Sequence, residues 1–451
     1  MRLEYIRSRR DFLKTGCRAL STAGAIAALG KAGLMTAHAQ TASDYKALVC
    51  IFLFGGNDAN NLLIPNDSTG YANYQKLRAN LAIPQASLVG IHDAATNANY
   101  GLHPSLAAIA PLYNTSNRLA LMMNVGTLLQ QVPRGSNGLP ELNAVPLPLN
   151  LYSHSDQQVA WQDSTPQGGS TTGWSGRLSD KVAAGSGLVP PVITLAGNAL
   201  QLVGESTQPS SVTTTNFGLV APATDPGSTA LQSLLGLSSG VTLVQAAQSS
   251  LKGAISVAQA VTAALAGSAS LGVTFPNSDI GTQLGQVAKL IQVRASLGAS
   301  RQIYFCSQNG YDTHSNQLAQ QVTLYGNLAN ALNAFDQAMS TLNVQNSVTT
   351  FTESDFGRTF QPNGNAGTDH GWGSHALVMG GGVNGGALYG TYPTLGLQGP
   401  DDSGNRGTWV PSTSQDQYMG ALAKWFGLAQ ADMDYVFPNL KTFQYQTPAF
   451  I

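Results

Sequence analysis

Three short apolar runs organise the chain: residues 46–54 (KALVCIFLF), 302–306 (QIYFC) and 347–352 (SVTTFT). Runs of this length and composition read as strands. Between the second and third, Leu318, Val322, Tyr325, Leu328, Leu332, Phe335, Met339 and Leu342 recur every three or four residues. That spacing predicts one apolar face of a helix about six turns long, ended by Asn343. Strand, long helix, strand is a right-handed crossover, so the second and third strands run parallel and the loops after them leave the same edge of a sheet. Upstream, His103-Pro104 opens an apolar-periodic helix through Leu106, Ile109, Leu112 and Tyr113, and residues 119–125 form the next strand. Residues 127–150, rich in Pro, Gly and Asn, read as a long surface loop. From about 192 to 275 the chain is dominated by Ala, Ser, Thr, Gly and Val, with helices expected at 229–237 and 244–265. That stretch reads as a helical insertion or cap of low complexity. The fold class expected is α/β: a doubly wound, mostly parallel sheet with helices on both faces, forming a single domain over residues 40–451.

In such sheets, sites form beyond the carboxyl ends of the strands. The first run leads into Gly55-Gly56-Asn57-Asp58, the second into Tyr311-Asp312-Thr313-His314, and the third into Glu353-Ser354-Asp355-Phe356-Gly357-Arg358. Asp312 and His314 flank one residue, so both side chains can point the same way. Asp369, His370 and His375 follow in the segment TDHGWGSH. Imidazoles with carboxylates suit Zn, Mn or Fe, whereas carboxylates alone lean toward Mg or Ca. A divalent metal site is therefore expected, its ion left open. Taken singly, each histidine reads as well as a hydrogen-bonded surface residue, and Asp58 as well as the cap of a turn. Of Glu353 and Asp355, Asp355 is the favoured inward ligand. Arg358 either forks an anionic oxygen or pairs with Glu353. Ser153 and Ser155 precede a helix start at 157–161, where a serine is by default an N-cap but can also attack a phosphoryl or sulfuryl group. No Gly-x-Ser-x-Gly elbow is present, which disfavours a triad hydrolase. The glycines at 380–386 lack the placement of a dinucleotide loop.

Charge and composition narrow the classes further. Residues 1–39 carry the twin-arginine signature SRRDFLK, an Ala/Gly-rich apolar stretch and the small-x-small site Ala37-His38-Ala39, and are expected to be a cleaved export signal. Without them the chain holds 15 basic and 21 acidic residues, a net of about −6, which argues against nucleic-acid binding. Charged residues make up 10% of the sequence against ~25% ordinarily, so the surface is polar but uncharged, as in many secreted proteins. A periplasmic or secreted location is expected, with the twin-arginine translocation machinery as a partner. No later stretch is apolar for the length of a transmembrane anchor. Cys50 and Cys306 remain after cleavage; both sit in strand runs, where burial as thiols is usual and an oxidising compartment would permit a disulfide.

The leader, FLFGGNDANN, the His-Pro at 103–104, SHSDQQVAW, GYDTHSNQ, ESDFGRT and DHGWGSHALVMGGGVNGG together resemble the bacterial twin-arginine-exported family catalogued as domain of unknown function 1501. That family is similar at fold level to the alkaline-phosphatase and sulfatase superfamily, whose doubly wound sheet carries one or two metal ions. The resemblance implies an alkaline-phosphatase-like fold, with Asp58, the pair Asp312 and His314, Asp355, and His370 or His375 as ligands. Superfamily hydrolases have Ser-Asp-His-Gly where this chain has Ser354-Asp355-Phe356-Gly357, and no Cys/Ser-x-Pro-x-Arg nucleophile motif occurs. One metal, or a rearranged pair using Asp369 and His370, is expected instead. The implied activity is metal-dependent hydrolysis of a small anionic ester, phosphate or sulfate, in the cell envelope. The rival expectation is a non-catalytic secreted binding or assembly protein that keeps the fold.

Overall fold

The computed structural model describes residues 45–182, 189–212, 230, 233–237 and 240–451. The expected leader at 1–39 lies outside these residues. In chain order the strands are β1 (Lys46–Phe54), β2 (Leu63–Pro65), β3 (Val89–Asp93), β4 (Ala98–Leu102), β5 (Leu119–Gly126), β6 (Val192–Thr194), β7 (Ser210–Ser211), β8 (Arg301–Asn309), β9 (Val348–Ser354), β10 (Ser374–Met379), β11 (Leu388–Gly390) and β12 (Thr413–Ser414). One sheet runs β7-β6-β8-β1-β9-β10-β5-β11, with β12 also on β5, while β2, β4 and β3 form a small antiparallel sheet. In the large sheet only β10 is antiparallel to its neighbours. It is thus a mixed, mostly parallel α/β sheet.

β1 sits at the centre because both its faces are apolar. Ala47, Val49, Ile51 and Leu53 join the core under the helices Asp279–Gln292 and Gln317–Thr341. Leu48, Cys50 and Phe52 join the opposite core, with Trp161, Trp174, Leu178 and Leu422 from the helices His154–Asp163, Trp174–Val182 and Gln415–Phe426. Each fully buried side chain of this size contributes about 1.5–3 kcal/mol, so no slip of β1 that swaps its faces is tolerated.

The register sets the site. Leu53 lies opposite Ser354, and Phe54 opposite Asn309, so β1, β8 and β9 end level. β10 runs the other way, so the segment entering it at Ser374 arrives at that same rim.

The crossover expected from the long periodic helix is present: Gln317–Thr341 connects β8 to β9, and both strands run parallel to β1, which lies between them. Val322, placed by periodicity on the buried face, is 56% exposed. The helix expected after His103 is divided into a 3-10 turn (Pro104–Ile109) and a short helix (Ala110–Asn114), because Pro111 has no N–H to continue the first. Within the stretch read as an insertion at 192–275, β6 and β7 already belong to the main sheet. The helix Thr242–Ala266 matches the one expected at 244–265. Of the helix expected at 229–237, residues 230 and 233–236 are helical, and 229, 231 and 232 lie outside the described residues.

Cys50 and Cys306 are free and buried. In register Cys306 faces Ile51, so the two thiols, one position out of step, project from opposite faces and cannot bridge.

Glu353 is buried beneath the rim on the Cys50 face. Burial pushes its carboxyl up to about 8, opposed by the Cys50 thiol, which donates to Oε2 at 3.6 Å. The folded chain therefore keeps a proton there that the unfolded chain releases near 4.5. Stability from the neutral form is complete below that value and is lost as pH rises through about 8. Urea midpoints measured from pH 5 to 9 should fall more steeply for the wild-type chain than for Glu353→Gln. Equal slopes would show that the group is not held neutral.

Candidate metal centre

Four side chains from three separated segments meet at the rim. Asp312 and His314 come from the loop after β8. Thr313 between them turns inward and donates to Gln317 Oε1 (3.0 Å), leaving its two neighbours on the outer side. Gly55 permits the approach of this loop: its φ is +116°, and a Cβ there would lie 2.3 Å from the Asp312 amide nitrogen. His370 arrives on the segment before β10, which is pinned by a bridge between Arg358 and His370, by the Gly371 amide donating to the Gly357 carbonyl and by the Gly357 amide donating to the Trp372 carbonyl. His154 is the first residue of the helix His154–Asp163.

The inward atoms are close. His314 Nε2 lies 3.0 Å from Asp312 Oδ1 and 3.1 Å from His370 Nε2. His154 Nε2 and His370 Nε2 lie 3.5 and 3.6 Å from the same Asp312 oxygen. His154 Nε2 is buried with no hydrogen-bond partner. Each imidazole is held from behind. His154 Nδ1 meets Asp355 Oδ2 at 2.7 Å, His314 Nδ1 meets Asp369 Oδ1 at 3.1 Å, and His370 Nδ1 meets the Tyr152 carbonyl at 2.7 Å. These partners accept, so each Nδ1 carries a proton and each ring, when neutral, turns an Nε2 lone pair inward. Three lone pairs and a carboxylate facing one another repel unless a cation or extra protons lie between them. Imidazoles oriented through Nδ1 are the usual surroundings of a metal ion.

The electrostatics follow the same partners. The Asp355 hydrogen bond raises the His154 imidazole above its ordinary value against the opposing effect of burial. Burial lowers His370, with the Tyr152 carbonyl opposing. Burial alone would raise Asp312, but the Arg358 hydrogen bond and charge bring it below the usual carboxylate range. Burial likewise works against Asp369, and Arg406, Asn363 and His314 together bring it down to about 2.

Several residues expected at this centre lie elsewhere or play another part. Asp58 is fully buried and forms an ion pair with Arg78; it also accepts from Gln317 and Asn60, so it makes no contact with the histidines. Asp355 stands behind His154, accepting also from Gln158 (2.8 Å) and the Gly55 amide (3.2 Å). Asp369 stands behind His314 and pairs with Arg406. His375 faces the other way: its Nδ1 accepts from the Asn124 amide (3.0 Å), its ring stacks on Tyr392, and burial lowers it to about 4. Arg358 pairs with neither Glu353 nor an open site. Its guanidinium is buried, bonding Asp312 (2.8 Å), the Gly55 carbonyl (3.0 Å), Thr368 Oγ1 (3.1 Å) and the Thr368 carbonyl. Ser153 is at the N-cap position, yet its hydroxyl bonds Asp156 and Ser155 rather than a helix amide, and Ser155 is exposed. His154 is the one residue of the cluster not expected from the sequence: in Ser153-His154-Ser155-Asp156 the flanking serines give the stronger local signal. Phe356 packs 4.8 Å from the rings of both His154 and His370.

Fold and site together define an α/β protein with a mostly parallel sheet and a histidine–carboxylate cluster at one rim. The chain belongs to the family described as "Protein of unknown function (DUF1501)", whose family model matches residues 45–405. None of the curated proteins matches it. Among solved structures it is similar to Ps i-CgsB in complex with k-i-k-neocarrahexaose, at 7% identity and TM-score 0.35 over 90% of this chain and 77% of that one. It is likewise similar to Ps i-CgsB alone, at 8% identity and TM-score 0.36 over 89% and 77%.

The Asp58–Arg78 pair supports the loop after β1 from below. Arg78→Ala leaves a buried carboxylate without its cation, and should destabilise the fold by about 3–5 kcal/mol. The loss should appear as a lowered urea midpoint; a change within about 0.5 kcal/mol would show the pair to be dispensable.

Proposed function

We propose that the chain is a metal-dependent hydrolase of phosphate or sulfate esters, with His154, Asp312, His314 and His370 as the residues that would hold a divalent ion. What carries the reading is the grouping of His154, His370 and Asp312, whose facing atoms lie within 4.8 Å of one another, with His314 Nε2 beside them at 3.0 Å from Asp312 Oδ1 and 3.1 Å from His370 Nε2. A divalent ion bound there supplies Lewis acidity toward an ester oxygen. The chain's own residues contribute orientation. Asp355, Asp369 and the Tyr152 carbonyl fix the three rings, and Arg358 holds Asp312. The amino end of the helix His154–Asp163 opens at the cluster, and its dipole favours an anionic oxygen there. Arg358, with its donors engaged inside the protein, does not take that part. An alkaline-phosphatase-like fold and export through the twin-arginine route, with a periplasmic or secreted location, belong to the same proposal. Among the described residues no helix is long and apolar enough to cross a membrane.

A second reading has an observation in its favour. Phe356 presents an apolar ring to the cluster, and Arg358 is spent on internal bonds, as in a binding or assembly protein that keeps the fold without turnover.

A panel of phosphomonoesters, phosphodiesters and sulfate esters, assayed on the metal-loaded chain, decides between them. The hydrolase reading expects turnover that chelation removes, and a loss in kcat/KM on the order of 10²-fold or more in His154→Ala and in Asp312→Ala. Full activity in a metal-stripped sample would sink it. A loaded chain inert on the whole panel favours the binding protein.

A further inference from the structure

We propose that the rim cluster is built for one ion of the borderline transition series, such as Zn2+ or Fe2+, and neither for a pair of ions nor for Mg2+ or Ca2+. The inference rests on the metal-centre reading above and specifies which ion that centre takes and how many.

The donor set is the first ground. Three inward Nε2 atoms and one carboxylate oxygen make a nitrogen-rich site, with His314, His370 and His154 at 3.0–3.6 Å from Asp312 Oδ1. Mg2+ and Ca2+ are held by carboxylate, carbonyl and water oxygens, whereas imidazole suits Zn and Fe. Ligand atoms around a shared ion at ~2.0–2.1 Å lie a little over 3 Å apart, which the observed separations match.

The second ground is the state of the neighbouring carboxylates. A second ion within a few ångströms would need further anionic ligands, and each acidic side chain at the rim is already engaged. Asp58 is paired with buried Arg78, Asp369 with Arg406, and Asp355 with His154, Gln158 and the Gly55 amide. Arg358 donates to the same Asp312 oxygen that the imidazoles face, at 2.8 Å, so a fixed guanidinium charge already shares that oxygen. A second divalent ion beside it would face like charge. Phe356 closes the flank of His154 and His370 with an apolar ring that offers no ligand atom.

Asp355 then acts as a positioning residue rather than a ligand: it fixes the His154 ring through Nδ1 and touches the ion only through it.

The test is a binding titration of the chain lacking residues 1–39, independent of any ester assay. The chain is stripped with chelator and titrated with Co2+ as a spectroscopic stand-in, then with Zn2+, and bound metal is counted by elemental analysis. The expected result is one equivalent, visible absorption that saturates at that point, and no displacement by millimolar Mg2+ or Ca2+. Asp355→Asn should keep one equivalent, bind ~10–100-fold more weakly and shift the Co2+ spectrum. Two equivalents, or Mg2+ competing on equal terms, would overturn the proposal. If chelation unfolds the chain, protein purified from medium holding Zn2+, Mn2+, Mg2+ and Ca2+ together is analysed directly, with the same two outcomes. A chain that takes one Zn2+ yet hydrolyses nothing refutes the hydrolase and leaves this inference standing; a chain that binds no ion refutes both.

Discussion

Everything at the rim depends on the level ending of three parallel strands. β1 is buried on both faces and hydrogen-bonded along both edges, so it cannot slip against β8 or β9 without turning apolar side chains toward the wrong layer. The loops after these strands then leave the sheet at one height, within reach of one another. Antiparallel β10 completes the arrangement, since its direction brings His370 to the rim from the other side. Segments as far apart in sequence as Phe54 and Ser374 are thereby brought to one rim by backbone pairing. The helix carrying His154 needs a different anchor, and finds it in Asp355, whose side chain bonds both that helix and the loop after β1.

The chain has few charges, and it spends many of them inside. Arg78 and Arg358 are among its largest fully buried side chains. Each lies against an aspartate from a strand-end loop, and each also bonds backbone carbonyls of other loops. Taking an ion pair out of water costs several kcal/mol, so pairs of this kind are weak sources of stability. What they do supply is fixed geometry. Arg358 links the loops after β1, β8 and β9 to the segment before β10 through four hydrogen bonds, and Gln317 joins Asp58, Thr313 and Thr368 beneath them. In a protein whose loops are rich in Gly, Ser and Asn, this buried network restricts motion at the rim.

Much of this arrangement was legible in the sequence, for identifiable reasons. β1 was read to the residue because nothing polar interrupts it, and the β8–helix–β9 crossover because a 3.6-residue period over 25 residues admits one interpretation. Asp312 and His314 were found because a two-residue spacing in a strand-end loop is a local signal. Three things were not local. Asp58 looked like a ligand until Arg78, 20 residues later on another helix, took its charge. His375 lies inside β10, unlike His370, and strand alternation turns it toward Asn124 and Tyr392. His154 depends on Asp355, 201 residues away, and at a helix start its neighbouring serines give the stronger local signal. Periodicity reports which face is buried; it does not report which partner a polar side chain will meet.

The partners behind the three histidines are also unequal, and that inequality has a physical consequence. Asp355 is a full carboxylate whose other contacts are neutral, so it lends the greatest negative charge to its ring. Asp369 shares its charge with Arg406, which weakens what reaches His314. His370 leans on an uncharged carbonyl. Electron donation toward the common centre should therefore decrease from His154 to His314 to His370. The Asp355 hydrogen bond raises His154, whereas His370 is lowered by burial, with the Tyr152 carbonyl opposing. If the cluster holds an ion, His154 would be the ligand oriented by a carboxylate whose other partners are neutral, and His370 the one oriented by an uncharged carbonyl, so the two would differ in what stands behind the ring while sharing the Phe356 contact.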